Sequence, residues 1–417
     1  MKIKDVRTVL LTGPCTFDKY LAEARTLRSA AFIVIETDAG LVGIGETYAG
    51  YFIPEVIPEI VDFFKPILLN NDVSDIPNLW QRMYHCGNFW CRVGLGAIVL
   101  TGIEAALWDL KGKMEGVPVY KLLQDLWKQE MSGIEPLPFR ESIPCYATGG
   151  PSNYPLDKLL SKIDYYTGLG FNAVKIGAGK FDKESGFYIS SDPIEAAETE
   201  EEKVHFIRSK FGNQLGLMID AHMGNSPSIT WGFDTALKVA KALEKYNLLF
   251  LEEPLHYNSP NLYRRLCDGV SIPIAGGECL STYSEWESFI GLGHIDVGQP
   301  DASYVSGLTA FIKTAALLAK KGIKIAPHAW GAGGAQMQNI HCGFACTNTL
   351  ILEVAPAFGP LHSEVIVEGA FEMINGHINP PTTPGLGVDL PATVMERYPF
   401  KRGSGEFNSV PGKILNT

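Results

Sequence analysis

The stretches GLMID (216–220) and LLFLEEP (248–254) each run through apolar residues into an acid, and the chain repeats this pattern around them. Upstream, Lys175 ends AVK. Downstream, Glu278 ends PIAGGE, Asp301 follows HIDVGQP, His328 follows IKIAP and Glu353 ends TLILE. From Asp220 through Glu252, Glu278, Asp301 and His328 to Glu353 the intervals are 32, 26, 23, 27 and 25 residues. That spacing is one strand, one helix and two loops, the repeat of a (β/α)8-type barrel, whose active sites lie at the C-terminal ends of the strands. A Lys, several carboxylates and a His at successive strand ends therefore converge on one mouth.

The chain has 417 residues, which predicts two domains rather than one. Its 46% hydrophobic content suits a large core, and no apolar run reaches the length of a membrane span. The first residues lead straight into a strand-like run with no signal-peptide pattern. A net charge of −11 argues against a nucleic-acid partner. The eight cysteines show no C-x-x-C pair. Cys342 and Cys346 fit core packing better than a metal site, and the whole pattern suits a reducing cytoplasm.

Ahead of the repeat, residues 1–13 alternate as a strand and 30–49 read as a hairpin turning at Asp38-Ala39-Gly40. A polar segment, 15–28, reads as a mobile loop between them, and 46–55 as an aromatic-rich loop. Three helical stretches follow, near 54–66, 74–85 and 96–115, the last stopping at Gly116 with Pro118 beyond. Strands followed by helices predict an α+β unit over 1–127. A polar connection leads to the barrel, 140–365. The tail, 366–417, is expected to return to the first unit. The charged run Lys180–Lys203 reads as an insertion after the second barrel strand, a solvated surface loop and helix start.

Asp220, Glu252 and Glu278 would repel one another unless a cation sits between them. All-oxygen donors suit Mg²⁺ before Mn²⁺ or Ca²⁺. Glu252 and Glu253 are adjacent and point to different faces of a strand, so only one of them easily ligates and the other supports. Asp301 beside His328 would fix the imidazole tautomer and raise its basicity, making a general base. His222, two residues past Asp220, is a candidate acid, and His256 a weaker one. Glu353 either hydrogen-bonds a developing oxyanion or is a surface acid.

These motifs resemble the enolase superfamily, specifically its mandelate racemase subgroup: FNAVKIG, MIDAH, FLEEP, GGECL, QPDAS, APHAW and LEVAP, with ETDAGLVGIGE early and PGLGVDL late. Their order and spacing carry the match across nearly the whole chain. The resemblance implies a (β/α)7β barrel with an α+β capping domain built from both chain ends. It implies Mg²⁺ on Asp220, Glu252 and Glu278, a His328/Asp301 dyad, and Glu353 hydrogen-bonded to a substrate carboxylate. It also implies that the capping loops, 15–28 and 46–55, select a small carboxylate substrate. The expected partner is a second copy of the chain, as a dimer or octamer.

Two departures matter. Many members carry K-x-K where this chain has Lys175-Ile176-Gly177. Lys175 matches the lysine that assists the substrate carboxylate, and Gly177 stands where a second base would be. Lys180 is a poor substitute. The D-A-H run ending at His222 is similar to sugar-acid dehydratases that place a His near the leaving hydroxyl. The resemblance therefore implies a Mg²⁺-dependent acid-sugar dehydratase giving a 2-keto-3-deoxy acid. A racemase or epimerase is the runner-up, and a scaffold that kept the fold without catalysis is the alternative of another class.

Overall fold

The computed structural model describes residues 1–14, 27–149, 155–182, 186–224, 231–356 and 359–404. Of the expected loop 15–28, residues 15–26 lie outside the described residues, and Leu27 and Arg28 open a strand.

Strands β1 (Ile3–Pro14), β2 (Leu27–Thr37) and β3 (Val42–Thr47) form an antiparallel sheet in that order. The β2–β3 turn falls at the expected Asp38-Ala39-Gly40. Helices α1 (Ala49–Phe52), α2 (Ile57–Leu68), α3 (Ile76–Cys86) and α4 (Leu95–Glu115) follow. The aromatic-rich stretch 46–55, expected as a loop, is therefore the end of β3 followed by a short helix. Almost all of α4 is buried. A further helix, α5 (Val119–Glu130), was not among those expected. It buries Val119, Leu123 and Trp127, a four-residue spacing, and Pro118 is its N-cap. Proline stops a helix but also opens one, because the first turn needs no donor there.

The barrel alternates strand and helix. Its elements are β4 (Ile143–Ala147), α6 (Leu156–Gly168), β5 (Ala173–Gly177), a hairpin of β6 (Lys180–Asp182) and β7 (Gly186–Tyr188), α7 (Pro193–Phe211), β8 (Gly216–Asp220), α8 (Phe233–Leu243), β9 (Phe250–Glu252), α9 (Pro260–Gly269), β10 (Ile274–Gly276), α10 (Tyr283–Leu292), β11 (Val297–Gly298), α11 (Leu308–Ala319), β12 (Lys324–Ile325), α12 (Gly333–Ala345) and β13 (Leu352–Val354). Parallel pairing runs β13-β4-β5-β8-β9-β10-β11-β12. Ile325 bridges Thr349, just ahead of β13, and completes the ring. Among the described residues, eight strands and seven connecting helices make a (β/α)7β barrel.

Each strand contributes to a separate buried cluster: Tyr146, Ala173, Met218, Phe250, Ala275 and Val297, with Ala326 and Ile351 beside β12 and β13. This plug fills the barrel interior, so the polar side chains further along each strand gather at its C-terminal mouth.

The run Lys180–Lys203 holds the β6–β7 hairpin and, as expected, the start of a helix, α7, but it is not solvated throughout. Glu200 and Lys203 are buried. Lys203 Nζ donates to the Gly177 and Gly179 carbonyls at 2.8 and 2.6 Å, and Glu200 accepts from Gly179 N at 2.6 Å. The charge pair anchors the end of β5, which composition alone could not distinguish from a surface face.

After α13 (Pro360–Glu364), β14 (Met373–Ile374) and β15 (His377–Ile378) form a hairpin that pairs antiparallel with the start of β4. Leu386 N then donates to Asp109 and Val119 N to the Gly385 carbonyl. Beyond α14 (Ala392–Arg397), Pro399 bridges Leu11 of β1. Among the described residues no helix is long and apolar enough to cross a membrane.

Candidate active site

Register sets the first part of the mouth. Gly177, Asp220 and Glu252 are neighbours across β5, β8 and β9, so Asp220 and Glu252 emerge side by side. Glu278 lies two residues past the end of β10. The intervening Gly277 has φ +104, and any Cβ there would meet the Trp286 ring at 2.3 Å. Only glycine allows this turn, which brings Glu278 back to the mouth. Ligand atoms of Asp220, Glu252 and Glu278 fall within 4.8 Å of one another.

Lys175 rises from β5 into this group. Its Nζ lies 2.7 Å from Glu252 Oε1, 3.0 Å from Glu353 Oε1 and 3.1 Å from Asp220 Oδ2. The Tyr146 ring of the interior plug lies 5.7 Å below it. Burial works against the ammonium, but Glu252 and Glu353 outweigh it and hold the lysine pKa well above its ordinary value. Burial also opposes ionisation of Asp220, yet His222 and Lys175 bring it down to about 2. Glu252 moves the other way, raised by burial and by Asp220.

On the opposite wall, His328 Nδ1 is 2.8 Å from Asp301 Oδ2, and His328 Nε2 is 3.5 Å from Glu278 Oε2. Asp301 Oδ1 accepts from Ser303 N, Ser303 Oγ and Asn339 Nδ2 at 2.6–2.9 Å. Sequence reading missed Ser303 and Asn339, because neither carries charge and Asn339 lies on α12, far along the chain. Burial disfavours the imidazolium, but Glu278 and Asp301 dominate and push His328 up to about 10. Glu353 Oε2 accepts from Ala329 N at 2.7 Å, which ties the residue after His328 to Lys175. Burial opposes ionisation of Glu353 as well, yet Lys175 and His328 keep it below its ordinary value. It is a buried acid of the mouth, not a surface one.

The other candidates divide. His222 has φ +55 and an imidazole that is more than half exposed, with Nδ1 3.2 Å from Asp220 Oδ1. It stands at the exposed rim of the mouth, beside Asp220. His256 stacks on Tyr257 and accepts from Asn258 N. Lys180 pairs with Glu195 on the exposed hairpin side, 3.4 Å away. Gly177 supplies no side chain, and its carbonyl is taken by Lys203.

Aromatic residues close the mouth. The Tyr48 ring lies 5.5 Å from His328, 5.8 Å from Tyr304, 5.6 Å from Tyr51 and 5.0 Å from Phe52. Tyr48 N donates to the Ser303 carbonyl, and Glu46 accepts from Ala332 N and Ala335 N at the start of α12. The end of β3 is thus docked onto the His328 side of the barrel. Burial keeps Tyr48 a neutral phenol.

A divalent cation fits these donors. Asp220, Glu252, Glu278, Glu353, Asp301 and Glu253 face one ammonium and two imidazoles, those of His328 and, at the rim, His222, and among the described residues Glu252 Oε2 is buried with no hydrogen-bond partner. Oxygen donors in that number favour a hard ion.

Comparison with known proteins agrees with this geometry. Residues 160–394 match the family model described as "Enolase C-terminal domain-like", and residues 20–124 match "Mandelate racemase / muconate lactonizing enzyme, N-terminal domain". An arabinonate dehydratase of Saccharolobus solfataricus is 28% identical over 88% of this chain and 90% of its own length. A D-galactonate dehydratase of Ralstonia pickettii is 31% identical over the same shares. Among solved structures, a racemase from Streptomyces coelicolor A3(2) with bound magnesium superposes with a TM-score of 0.77. It is 25% identical and covers 95% of this chain and 99% of its own.

Proposed function

The chain belongs to the enolase superfamily, with a mandelate racemase / muconate lactonizing enzyme N-terminal domain, and from that premise we propose that it is a Mg²⁺-dependent acid-sugar dehydratase. The observation that carries this reading is the asymmetry of the mouth. On one wall His328 is held by Asp301 with Nε2 turned inward. On the other, Lys175 is bound by three carboxylates, Gly177 has no side chain, and Lys180 and Lys203 are engaged elsewhere.

Asp220, Glu252 and Glu278 would hold the metal, whose charge would offset theirs and favour negative charge on the substrate carboxylate. A cation held on Glu278 would offset the carboxylate charge that raises His328, and in the neutral imidazole Asp301 accepts the Nδ1 proton, so Nε2 carries the lone pair and takes the proton α to the carboxylate. The electron pair left on the α-carbon moves into the carboxylate as an enolate. Lys175 lies where it stabilises that charge, and Glu353 fixes Lys175 in place. Collapse of the enolate breaks the bond to the β-hydroxyl, which leaves as water with a proton returned by His328 or supplied by His222. Tautomerisation of the enol gives a 2-keto-3-deoxy acid. Tyr48, Tyr51 and Phe52 bring rings from the capping domain over the His328 wall and limit water there.

The dehydratase relatives act on arabinonate and galactonate, which points to an aldonate or aldarate here. A panel of both classes, incubated with Mg²⁺ and read for 2-keto acid, tests this. Conversion of at least one acid sugar is expected. No keto acid from any of them would overturn the proposal. The racemase neighbour supports the alternative, but a racemase needs a base on each face, and Lys175 would have to leave its three carboxylates to serve.

A further inference from the structure

Glu253 has no part in the chemistry above. It follows the last residue of β9, yet its φ is +41, a left-handed backbone that a glutamate seldom adopts. Such a conformation costs on the order of 1–3 kcal/mol and persists where the surroundings impose it. The side chain is 1% exposed, and among the described residues its Oε2 has no hydrogen-bond partner and its Oε1 has only the weak donor Cys279 Sγ, 3.9 Å away. A Cβ on Gly224 would sit 2.2 Å from this carboxyl group, so the chain has left room for it. Ligand atoms of Glu253, Glu278 and Cys279 fall within 4.8 Å of one another. Glu278 and Cys279 are only partly buried, which leaves an approach from the mouth.

We propose that Glu253, Glu278 and Cys279 form a second cation position, sharing Glu278 with the first, for a thiophilic divalent ion of the zinc class. A thiolate with two carboxylates is a softer donor set than three carboxylates, and Mg²⁺ rarely takes sulfur. Three protein donors leave one tetrahedral position for water, a common arrangement for zinc. Because Glu278 belongs to both groups, an ion at the second position withdraws it from the first. Zinc-class ions therefore compete with Mg²⁺ and inhibit.

Cadmium is the probe, since a Cd²⁺–thiolate bond adds a charge-transfer absorption in the ultraviolet. The full-length protein carrying Cys86→Ser, which removes an exposed thiol, is titrated with Cd²⁺ with and without Mg²⁺. A saturable band is expected, with an apparent Kd that rises as Mg²⁺ is added. Cys279→Ser should abolish the band and relieve zinc inhibition while keeping Mg²⁺-dependent turnover. Glu253→Gln should weaken Cd²⁺ at least about tenfold, with circular dichroism confirming the fold. Absence of a band, a band that survives Cys279→Ser, or unchanged Cd²⁺ affinity in Glu253→Gln would overturn the proposal. A Cys279-dependent band indifferent to Mg²⁺ would overturn the sharing of Glu278. The absorption arms need no substrate, so they remain decisive even if the dehydratase reading fails.

Discussion

Asp301 spends one oxygen on His328 and the other on Ser303 and Asn339, so its orientation is fixed from two sides. Asp301→Asn should fold normally, because asparagine fits the same space, yet present an amide N–H to Nδ1 and favour the wrong tautomer. A loss of about 10²–10⁴-fold in kcat is expected. A near wild-type kcat would show that the pair is structural. A second histidine behaves differently. His341 is buried, accepts from Tyr120 N at Nδ1 and faces the Leu386 carbonyl with Nε2, and burial pulls it down to about 3. The unfolded chain takes up this proton near pH 6.5, while the folded chain does not until far lower pH. The contribution of His341 to stability should therefore fall as pH drops below about 6.5, at up to about 1.4 kcal/mol per pH unit. His362, pulled down to about 4 by burial, adds to the same limb. Thermal melts from pH 7 to 4 should show a shallower decline in His341→Gln than in wild type. An equal decline would remove His341 from the account. The charged residues of the mouth were legible in sequence because each closes an apolar run. Ser303 and Asn339 were not, since uncharged residues acquire their role only from neighbours that folding brings, while Tyr48 was marked only as part of the aromatic stretch 46–55.

At the scale of elements, α7 shows how charge composition misleads. Its Glu200 and Lys203 look like part of a solvated run, but they bind the backbone where β5 ends. Lys203→Met would strand Glu200 as an unpaired buried carboxylate and free two carbonyls. Such a change costs about 3–5 kcal/mol. Chemical denaturation should show that loss, with part of it recovered in Lys203→Met with Glu200→Gln. A single variant as stable as wild type would mean that the pair contributes nothing. Strand positions were readable from the spacing of strand-end charges. Helix α5 was not, because Pro118 reads as the stop of α4 although it opens α5, and Val119, Leu123 and Trp127 face the α11 and α12 side that only the folded barrel supplies.

Across the whole molecule, capping-domain acids hold the barrel. Glu46 accepts from the start of α12, and Glu104 of α4 accepts from Thr309 N at the start of α11, where a carboxylate also meets the helix dipole. Burial outweighs these bonds and raises both to about 7. The folded state therefore keeps protons that the unfolded chain releases near pH 4.5, and this stability is lost as pH rises from there to about 7. Glu104→Gln should flatten that decline by up to about 3 kcal/mol, seen in denaturation at pH 5 and pH 7.5. An unchanged pH dependence would show that Glu104 is ionised throughout. The barrel and the capping unit were legible from strand-end charges and from the family motifs, because both are consequences of chain order. How the two halves lock together was not, since it depends on acids that read as ordinary helix and strand residues. The most direct measurement of one-sided chemistry uses two aldonates that differ only at the α-carbon, each incubated with enzyme and Mg²⁺ in D₂O and followed by proton NMR. One epimer should give the 2-keto-3-deoxy acid while the other stays untouched and unlabelled. Interconversion of the two with deuterium at the α-carbon would reveal a second base opposite His328 and contradict the dehydratase account.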